Sequence, residues 1–109
     1  LISQQMKLIT QTLKERFAQI GRQDQKQDPI VVAKFFDPAG SASWWVTEYD
    51  PETNCCFGYV TGLQFDEWGY FSVNELEAIR RPFGLGIERD RHFQETPISK
   101  ACPSGYLYD

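Results

Sequence analysis

Three strand-forming segments follow one another through short connections, and this pattern limits the fold more than any other feature of the sequence. They are residues 30–37, 43–49 and 55–62, each rich in β-branched and aromatic side chains. Residues 37–40 and 50–54, which connect them, contain Asp, Pro, Gly and Asn, which are typical of turns. Parallel strands need a crossover of about a dozen residues or more, so the pattern predicts an antiparallel meander.

Two helices are predicted beside these strands. Residues 11–21 carry apolar side chains at helical spacing, with Thr10 as the N-cap and Gly21 as the stop. The apolar face of this helix comprises Ile9, Leu13, Phe17 and Ile20. Ser72 and Glu75 match a capping box, which predicts that a short second helix begins there.

The remaining segments complete the expected fold. Residues 87–93 alternate and are more polar than the other strands, which predicts a last strand at a sheet edge. Residues 63–71 are expected to form a loop. We therefore predict an α+β domain over residues 6–98, with a mostly antiparallel sheet of about four strands, an N-terminal helix and a short second helix. Residues 1–5 are assigned to an N-terminal extension, and residues 99–109 to a weakly structured C-terminal tail.

The charge balance disfavours nucleic acid as a partner. Fifteen acidic residues against eleven Lys and Arg give a net charge of −4, whereas nucleic-acid modules usually present a basic face. A small basic patch remains an alternative, because four arginines lie close together in the sequence: Arg80, Arg81, Arg89 and Arg91. The longest apolar runs are far shorter than the roughly 20 residues of a membrane span, so a membrane is not expected as a partner.

The cysteines indicate a reducing compartment. There are three of them, Cys55, Cys56 and Cys102, and the first two are adjacent. An odd number and a pair that could only bridge under strain argue against a secreted disulfide framework. The expected location is the cytoplasm.

The most site-like stretch is Glu88–His92. On a strand, Glu88, Asp90 and His92 would share one face, in an arrangement suited to a metal ion, while Arg89 and Arg91 would share the other. The structural alternative is a solvated edge strand whose alternating charges pair with a neighbour and discourage aggregation.

Glu48 is a second candidate because it lies late in an aromatic-rich strand. Strict alternation places it on the face of Trp44 and Val46. As a functional group it would be a carboxylate in an aromatic groove, where burial would raise its pKa. As a structural group it would pair with Lys34 on the neighbouring strand.

The adjacent tryptophans, Trp44 and Trp45, must point to opposite faces of a strand. Unless both faces are covered by the helices and the 63–71 loop, one ring is exposed. An exposed Trp is an anchor typical of protein interfaces, with Glu48 and Arg89 as nearby polar contacts. The expected binding residues are therefore Trp44, Trp45, Glu48, Glu88, Arg89 and Asp90.

Several kinds of site find no support in the sequence. His92 is the single histidine, and no cysteine lies in a recognisable nucleophile motif. Cys55 and Cys56 lack the spacing of a zinc pair, and no glycine-rich loop opens a helix in the phosphate-binding pattern. No metal or other cofactor is expected.

Several short stretches, in order and over most of the chain, resemble the family called domain of unknown function 2958. They are Met6–Thr10, Lys34–Phe36, Trp45–Glu48, Phe57–Val60 with Gly62, Gly69–Ser72 with Glu75 and Leu76, and Gly84–Leu85 with Ile87–Asp90 and Phe93. The resemblance covers residues 6–98 and implies a small bacterial protein of plasmids, integrated elements or phages. It implies no activity. Cys55, Cys56, Trp68 and the tail after residue 100 depart from the pattern.

The expected function is a non-enzymatic, cytoplasmic protein-binding module. A role as an accessory or counter-defence factor of a mobile element is implied by the resemblance alone. The alternative is a small enzyme or metal-dependent hydrolase that uses Glu48, Glu88, Asp90 and His92. A third hypothesis is a nucleic-acid binder or an acidic DNA mimic. The sequence does not define the oligomeric state.

Overall fold

A computed structural model describes residues 6–106. Its helices are α1 (Gln11–Ile20), α2 (Val73–Ala78) and α3 (Ile98–Ala101), with short 3-10 turns at Pro82–Gly84 and Pro103–Gly105. Its strands are β1 (Ile30–Val31), β2 (Ala33–Phe36), β3 (Ser43–Asp50), β4 (Cys55–Thr61), β5 (Glu67–Ser72), β6 (Glu88–Arg89) and β7 (Thr96–Pro97). No helix in this part of the chain is long and apolar enough to span a membrane.

Five strands form one antiparallel sheet in the order β5-β4-β3-β2-β6, and β1 pairs separately with β7. Neighbours β2, β3 and β4 follow one another in sequence, so the predicted meander and the α+β class are confirmed. The sheet has two faces. The helix face is covered by α1 and α2, and the C-terminal face is covered by residues 96–106.

The strand predictions differ from the structure in three places. The segment 30–37 is divided at Val32, because β1 leaves the main sheet to pair with β7. The segment 87–93 forms only Glu88–Arg89, since a turn follows at once. The predicted 63–71 loop contains most of β5. The sequence did not predict this strand, because Asp66, Glu67 and Gly69 interrupt the apolar alternation on which the prediction depends.

Both predicted helices are confirmed, and local hydrogen bonds explain where each begins. The Thr10 hydroxyl accepts from the Leu13 N–H at 3.2 Å, and the Ser72 hydroxyl accepts from the Glu75 N–H at 3.1 Å. Each satisfies one of the N–H groups that a helix start leaves without a partner. The helices then bury Phe17 and Leu76 against the helix face of the sheet.

The expectation of a weakly structured tail is wrong for residues 99–106. Ile98 is fully buried, and the Asp28 carboxylate accepts hydrogen bonds from the Ser99 N–H (3.0 Å) and hydroxyl (2.7 Å). The carbonyls of Ser104 and Gly105 accept from Tyr59 Oη and Trp68 Nε1. The segment is ordered because it covers aromatic rings on the C-terminal face that would otherwise contact water.

Thr47 lies in a bulge of β3 and is held by Gln23. Val46 faces Gly58 and Glu48 faces Phe57, so Thr47 is an extra residue in the ladder. Gln23 is only 3% exposed. Its carboxamide donates to the carbonyls of Thr47 (2.8 Å) and Ile30 (2.9 Å) and accepts from the Ile30 N–H (2.7 Å). One side chain therefore connects the bulge to the start of β1.

Replacing Gln23 by Leu should destabilise the fold by at least about 3 kcal/mol, because it leaves two carbonyls and one N–H in the interior without partners. Urea unfolding measures this change in the free energy of unfolding. The control is Gln25→Leu in the same loop, where the side chain is exposed and the change should stay within about 0.5 kcal/mol. Equal destabilisation by Gln23→Leu and Gln25→Leu would contradict the role of Gln23 as the hydrogen-bond partner of the bulge.

Gly58 and Gly69 face each other across β4 and β5. Alanine substitutions at these two positions can therefore be compared directly. A Cβ on Gly58 would overlap the carbonyl oxygen of Trp45, whereas a Cβ on Gly69 would meet nothing within 4 Å. Gly58→Ala should therefore cost about 2 kcal/mol or more, while Gly69→Ala leaves the thermal midpoint nearly unchanged. A similar loss in both variants would mean that strand β4 can shift to accept the methyl group.

Candidate functional site

The two adjacent tryptophans, Trp44 and Trp45, both pack against other residues of the domain. Trp44 is 6% exposed in the core of the helix face. Trp45 lies on the C-terminal face, half-buried, with Lys34 Nζ 4.6 Å from its ring centroid and the Phe93 ring against its edge. The expectation of an exposed anchor is wrong for Trp44, because the sheet is covered on both sides.

Glu48 lies on the opposite face from the one predicted. The bulge at Thr47 shifts the alternation by one residue, so Glu48 faces Phe57 on the C-terminal face. Its Oε2 accepts from the Gln23 N–H at 2.8 Å. The expected pairing with Lys34 is wrong, since Lys34 covers the ring of Trp45 instead.

The stretch from Glu88 to His92 does not form one continuous strand. β6 ends after Arg89, and the Asp90 carboxylate accepts from the His92 N–H at 3.0 Å in a tight turn. Glu88, Asp90 and His92 therefore do not alternate along one strand face as predicted. The prediction of an edge position is confirmed, because β6 is the last strand on its side of the sheet.

Three of the four clustered arginines are engaged by their own chain. Arg89 donates to the carbonyls of Lys7 (2.6 Å) and Leu8 (3.2 Å), Arg81 lies 3.3 Å from the Asp37 carboxylate, and Arg80 donates to the Glu77 carbonyl. Burial, with a smaller effect from Arg91, lowers the pKa of Arg89. Arg89 therefore fixes the N-terminal segment, whereas Arg80 and Arg91 are exposed.

The cysteines and the candidate carboxylates are the groups from which a reactive centre could be built. All three cysteines are free, and burial raises the pKa of the Cys56 thiol far above its usual range. No group of three His, Cys, Asp or Glu side chains in residues 6–106 could hold a metal ion. Glu48 and Glu88 lie near opposite ends of β3 and line different cavities. Glu88, Asp90 and His92 line one cavity and Glu48 lines another, so the four residues of the hypothetical hydrolase do not share one site.

The two edges of the main sheet differ in protection. β6 has two charged residues, and its Arg89 N–H donates to the sulfur of Met6 at 2.9 Å. Short, charged and covered strands are how natural sheets prevent unwanted pairing. β5 spans six residues, of which only Glu67 is charged; it has no Pro or bulge, and no described strand pairs with its outer side. We call this outer side the β5 edge.

The hydrogen-bond pattern shows which groups β5 presents outward. The Val73 N–H donates to the Asn54 carbonyl at 3.0 Å directly beyond the Cys55–Ser72 pair, so Asn54 and Val73 mark a hydrogen-bonded position of the β4–β5 register. Such pairs recur at every second residue in antiparallel strands. Glu67, Gly69 and Phe71 therefore bond to β4. The N–H and C=O groups of Trp68 and Tyr70 point away from the sheet.

Exposed apolar side chains surround this edge. Leu63 is 59% exposed, Phe65 is 65% exposed and Tyr70 is 78% exposed. They line one cavity of about 360 Å³ together with Phe71 and Gly69, and we call it the loop groove. Sequence reasoning assigned 63–71 to a loop, so it did not place these residues beside a sheet edge. The aromatic content of residues 68–71 was the signal that could have identified a strand there.

A second cavity lies on the other side of Tyr70. It has a volume of about 430 Å³, and its walls include Tyr70, Phe57, Glu48 and Asp50, with the end of α1 at its rim. We call it the acidic pocket. The Phe57 and Tyr70 ring centroids are 4.8 Å apart, with ring planes at 59°. Tyr70 therefore lines two cavities. The loop groove includes Glu67, and the acidic pocket includes Glu48 and Asp50 together with Arg22.

Residues 7–102 match the family described as "Protein of unknown function (DUF2958)". The chain belongs to this family. No curated protein and no solved structure matches the chain. The resemblance stated from the sequence is thus confirmed over most of the chain, and the matched range includes β5 and both cavities beside it.

This DUF2958 protein has one more exposed aromatic side chain, Phe83. It is fully exposed and has a positive φ of 62°. A bulky residue in that conformation is uncommon and strained. Phe83 borders a different cavity of about 930 Å³, beside Met6 and β6, so it is not part of the β5 edge.

Truncation of two aromatic side chains tests which of them belongs to the core. Trp44→Ala should lower the free energy of unfolding by about 3 kcal/mol or more, because it removes a large buried ring. Tyr70→Ala should change it by less than about 0.5 kcal/mol, since the ring is mostly in water. Guanidinium unfolding of both variants measures the difference. A strongly destabilised Tyr70→Ala variant would mean that this ring is a packing residue.

Proposed function

We propose that the protein is a non-enzymatic protein-binding module that takes an extended segment of a partner protein onto the β5 edge. The observation that carries the proposal is a six-residue edge strand with one charged residue, Glu67, at its start, next to the exposed side chains of Leu63, Phe65 and Tyr70. Strand addition uses the main chain for affinity and pockets at alternate positions for specificity. The β5 edge offers both.

The exposed apolar groups support an interface rather than a chance arrangement. Scattered single apolar residues on a surface are normal. Here three large ones line a single groove beside unpaired backbone groups. Exposing such a strand favours aggregation unless a partner covers it. A specific protein partner accounts for both features at once.

The cellular setting that we propose is the cytoplasm of a bacterium, with the protein acting as an accessory or counter-defence factor of a mobile element. Family resemblance alone supports the bacterial mobile-element role. Three free cysteines fit a reducing compartment.

The main-chain part of the proposal can be tested with Tyr70→Pro and Tyr70→Thr. Proline removes an N–H that points outward and bonds to nothing in the sheet, so the fold should persist. Threonine removes the ring and retains the N–H. Peptides are first selected from a random library for binding to the unmodified protein. Their affinity for Tyr70→Pro should fall below detection, whereas their affinity for Tyr70→Thr should fall by less than about tenfold.

Hydrogen exchange provides the control for this experiment. The Trp68 and Tyr70 amides should exchange rapidly in the free protein and become protected when a selected peptide is bound. Selected peptides that bind both variants equally, or leave these two amides unprotected, would exclude strand addition at β5.

A further inference from the structure

The main sheet offers one edge at which another strand can add. At its other end, β6 is two residues long, and the Arg89 N–H donates to the sulfur of Met6. β5 is six residues long, and no described strand pairs with the outward groups of Trp68 and Tyr70. Because each copy has one such edge in the described main sheet, pairing of two copies through β5 closes as a dimer and does not propagate into a filament.

The β5 edge is self-complementary about Gly69. Its outward N–H and C=O groups belong to Trp68 and Tyr70, the residues on either side of this glycine. When a second β5 lies antiparallel to the first with the two Gly69 residues opposed, Trp68 of each copy faces Tyr70 of the other. Each of these two pairs exchanges both of its hydrogen bonds. The outward groups of all four residues thereby gain partners.

The neighbouring registers fit the strand less well. Outward groups must oppose outward groups, so the register changes in steps of two residues. A step in one direction places Trp68 opposite Ser72, where the chain leaves β5 as the N-cap of α2. A step in the other direction places Tyr70 opposite Asp66, which precedes β5. The register centred on Gly69 keeps both residues of each hydrogen-bonded pair well inside the strand.

The fold of a single copy gives no reason for a glycine at position 69. Gly69 does not have a positive φ, and a Cβ there would meet no atom of the described chain within 4 Å. Glycine weakens the interior of a strand, and it often marks a place where another backbone approaches closely. In the register described above, the two Gly69 residues form a non-hydrogen-bonded pair at the two-fold axis, with Cα atoms about 4.5 Å apart. A second copy therefore accounts for this residue.

The pairing also covers exposed side chains on both sides of the edge. Trp68 lies on the C-terminal face, and Tyr70 shares that face because it is two residues further along the strand. Aromatic side chains that oppose each other across strands stabilise a sheet. On the helix face, both loop grooves contain Gly69, so they become continuous across the axis. The Leu63 and Phe65 side chains of both copies flank this joined groove.

The available area indicates a weak dimer. A large aromatic side chain presents about 200 Å² to water, so exposed fractions of 65% for Phe65 and 78% for Tyr70 give roughly 300 Å² per copy. With Leu63 and the strand backbone, the two copies together bury on the order of 1,000 Å², which is near the lower limit for a specific interface. Such a dimer dissociates on dilution and can yield its edge to another partner.

Charge does not prevent this pairing. Glu67 is the one charged residue of β5, and it would lie opposite Phe71 of the second copy. The two Glu67 residues are then about 13 Å apart along the strands, which exceeds the Debye length of about 8 Å at physiological salt. Each copy has a net charge of −4. Added salt should therefore strengthen the dimer, whereas it would weaken an interface held by ion pairs.

We infer that β5 of a second copy occupies the β5 edge when no other partner is bound, and that the two five-stranded sheets join about a two-fold axis at Gly69. The inference rests on the strand addition proposed above and names the first occupant of that edge. The second copy protects the edge from aggregation. It must leave before a partner segment can add, because both use the same outward groups of Trp68 and Tyr70.

Sedimentation equilibrium from about 1 μM to about 1 mM tests the dimer. The mean mass of the unmodified protein should rise with concentration from one copy toward two, and no further. Tyr70→Pro should remain one copy throughout, while its amide NMR spectrum shows that the fold persists. Tyr70→Thr retains the N–H and should still associate. A peptide selected as described above should return the unmodified protein to one copy, because it takes the same edge.

A cross-link tests the register without relying on a loss of binding. The starting protein carries Cys55→Ser and Cys102→Ser, which leaves the buried Cys56 as its native thiol. Gly69→Cys should form a disulfide between copies on mild oxidation, since Cα atoms about 4.5 Å apart are within range of the bond. Glu67→Cys is the matched control on the same face of β5. Its thiols would be too far apart, so it should stay reduced on a non-reducing gel.

The failure of this inference can be distinguished from the failure of strand addition. If the unmodified protein stays one copy while selected peptides still protect the Trp68 and Tyr70 amides, the second copy is wrong and strand addition stands. A dimer that persists in Tyr70→Pro, or that Gly69→Cys does not cross-link, also overturns the inference. If these two amides are unprotected by peptides in a monomeric protein, both proposals are wrong. Protection of the amides that is equal at every concentration would show that one copy covers its own edge, which contradicts both.

Discussion

The fold depends on a strand whose neighbouring tryptophans point in opposite directions. Trp44 enters the helix face and Trp45 the C-terminal face, so neither side of β3 can be left in water. α1 and α2 cover the first ring. The second is covered by residues near the C-terminus, which pack as α3 and a 3-10 turn against Tyr59 and Trp68. A sheet that is covered on both faces leaves its edges as the places where a partner can add.

A buried glutamine determines which residues reach the candidate site. The Gln23 carboxamide bonds to the bulge at Thr47, and its N–H holds Glu48. Without the extra residue, Glu48 would lie on the helix face among apolar side chains. With it, Glu48 follows Phe57 and Tyr70 in one row. A buried polar group with all its hydrogen bonds made can thus position a carboxylate several residues away.

The two edges of the main sheet differ in how far they are protected from pairing with another strand. On the β6 side, Met6 and the Arg89 guanidinium tie the N-terminal segment to the last strand. On the β5 side, no strand among residues 6–106 pairs with the outward backbone groups of Trp68 and Tyr70. Natural sheets normally protect long edges with charge, proline or a covering segment. A long edge with a single charged residue, Glu67, flanked by exposed aromatic and aliphatic side chains, is the feature that distinguishes this surface.

The sequence by itself determined the local elements, because helix caps, turns and strand composition act over a few residues. It predicted α1, the start of α2, β3, β4 and the antiparallel meander. Tertiary structure decided the rest. The bulge that moves Glu48 to the other face, the ordering of residues 98–106 over Trp45, and the assembly of Leu63, Phe65 and Tyr70 into one groove all depend on contacts between distant residues. Periodicity cannot show which strand edge remains uncovered, since that depends on where every other segment packs.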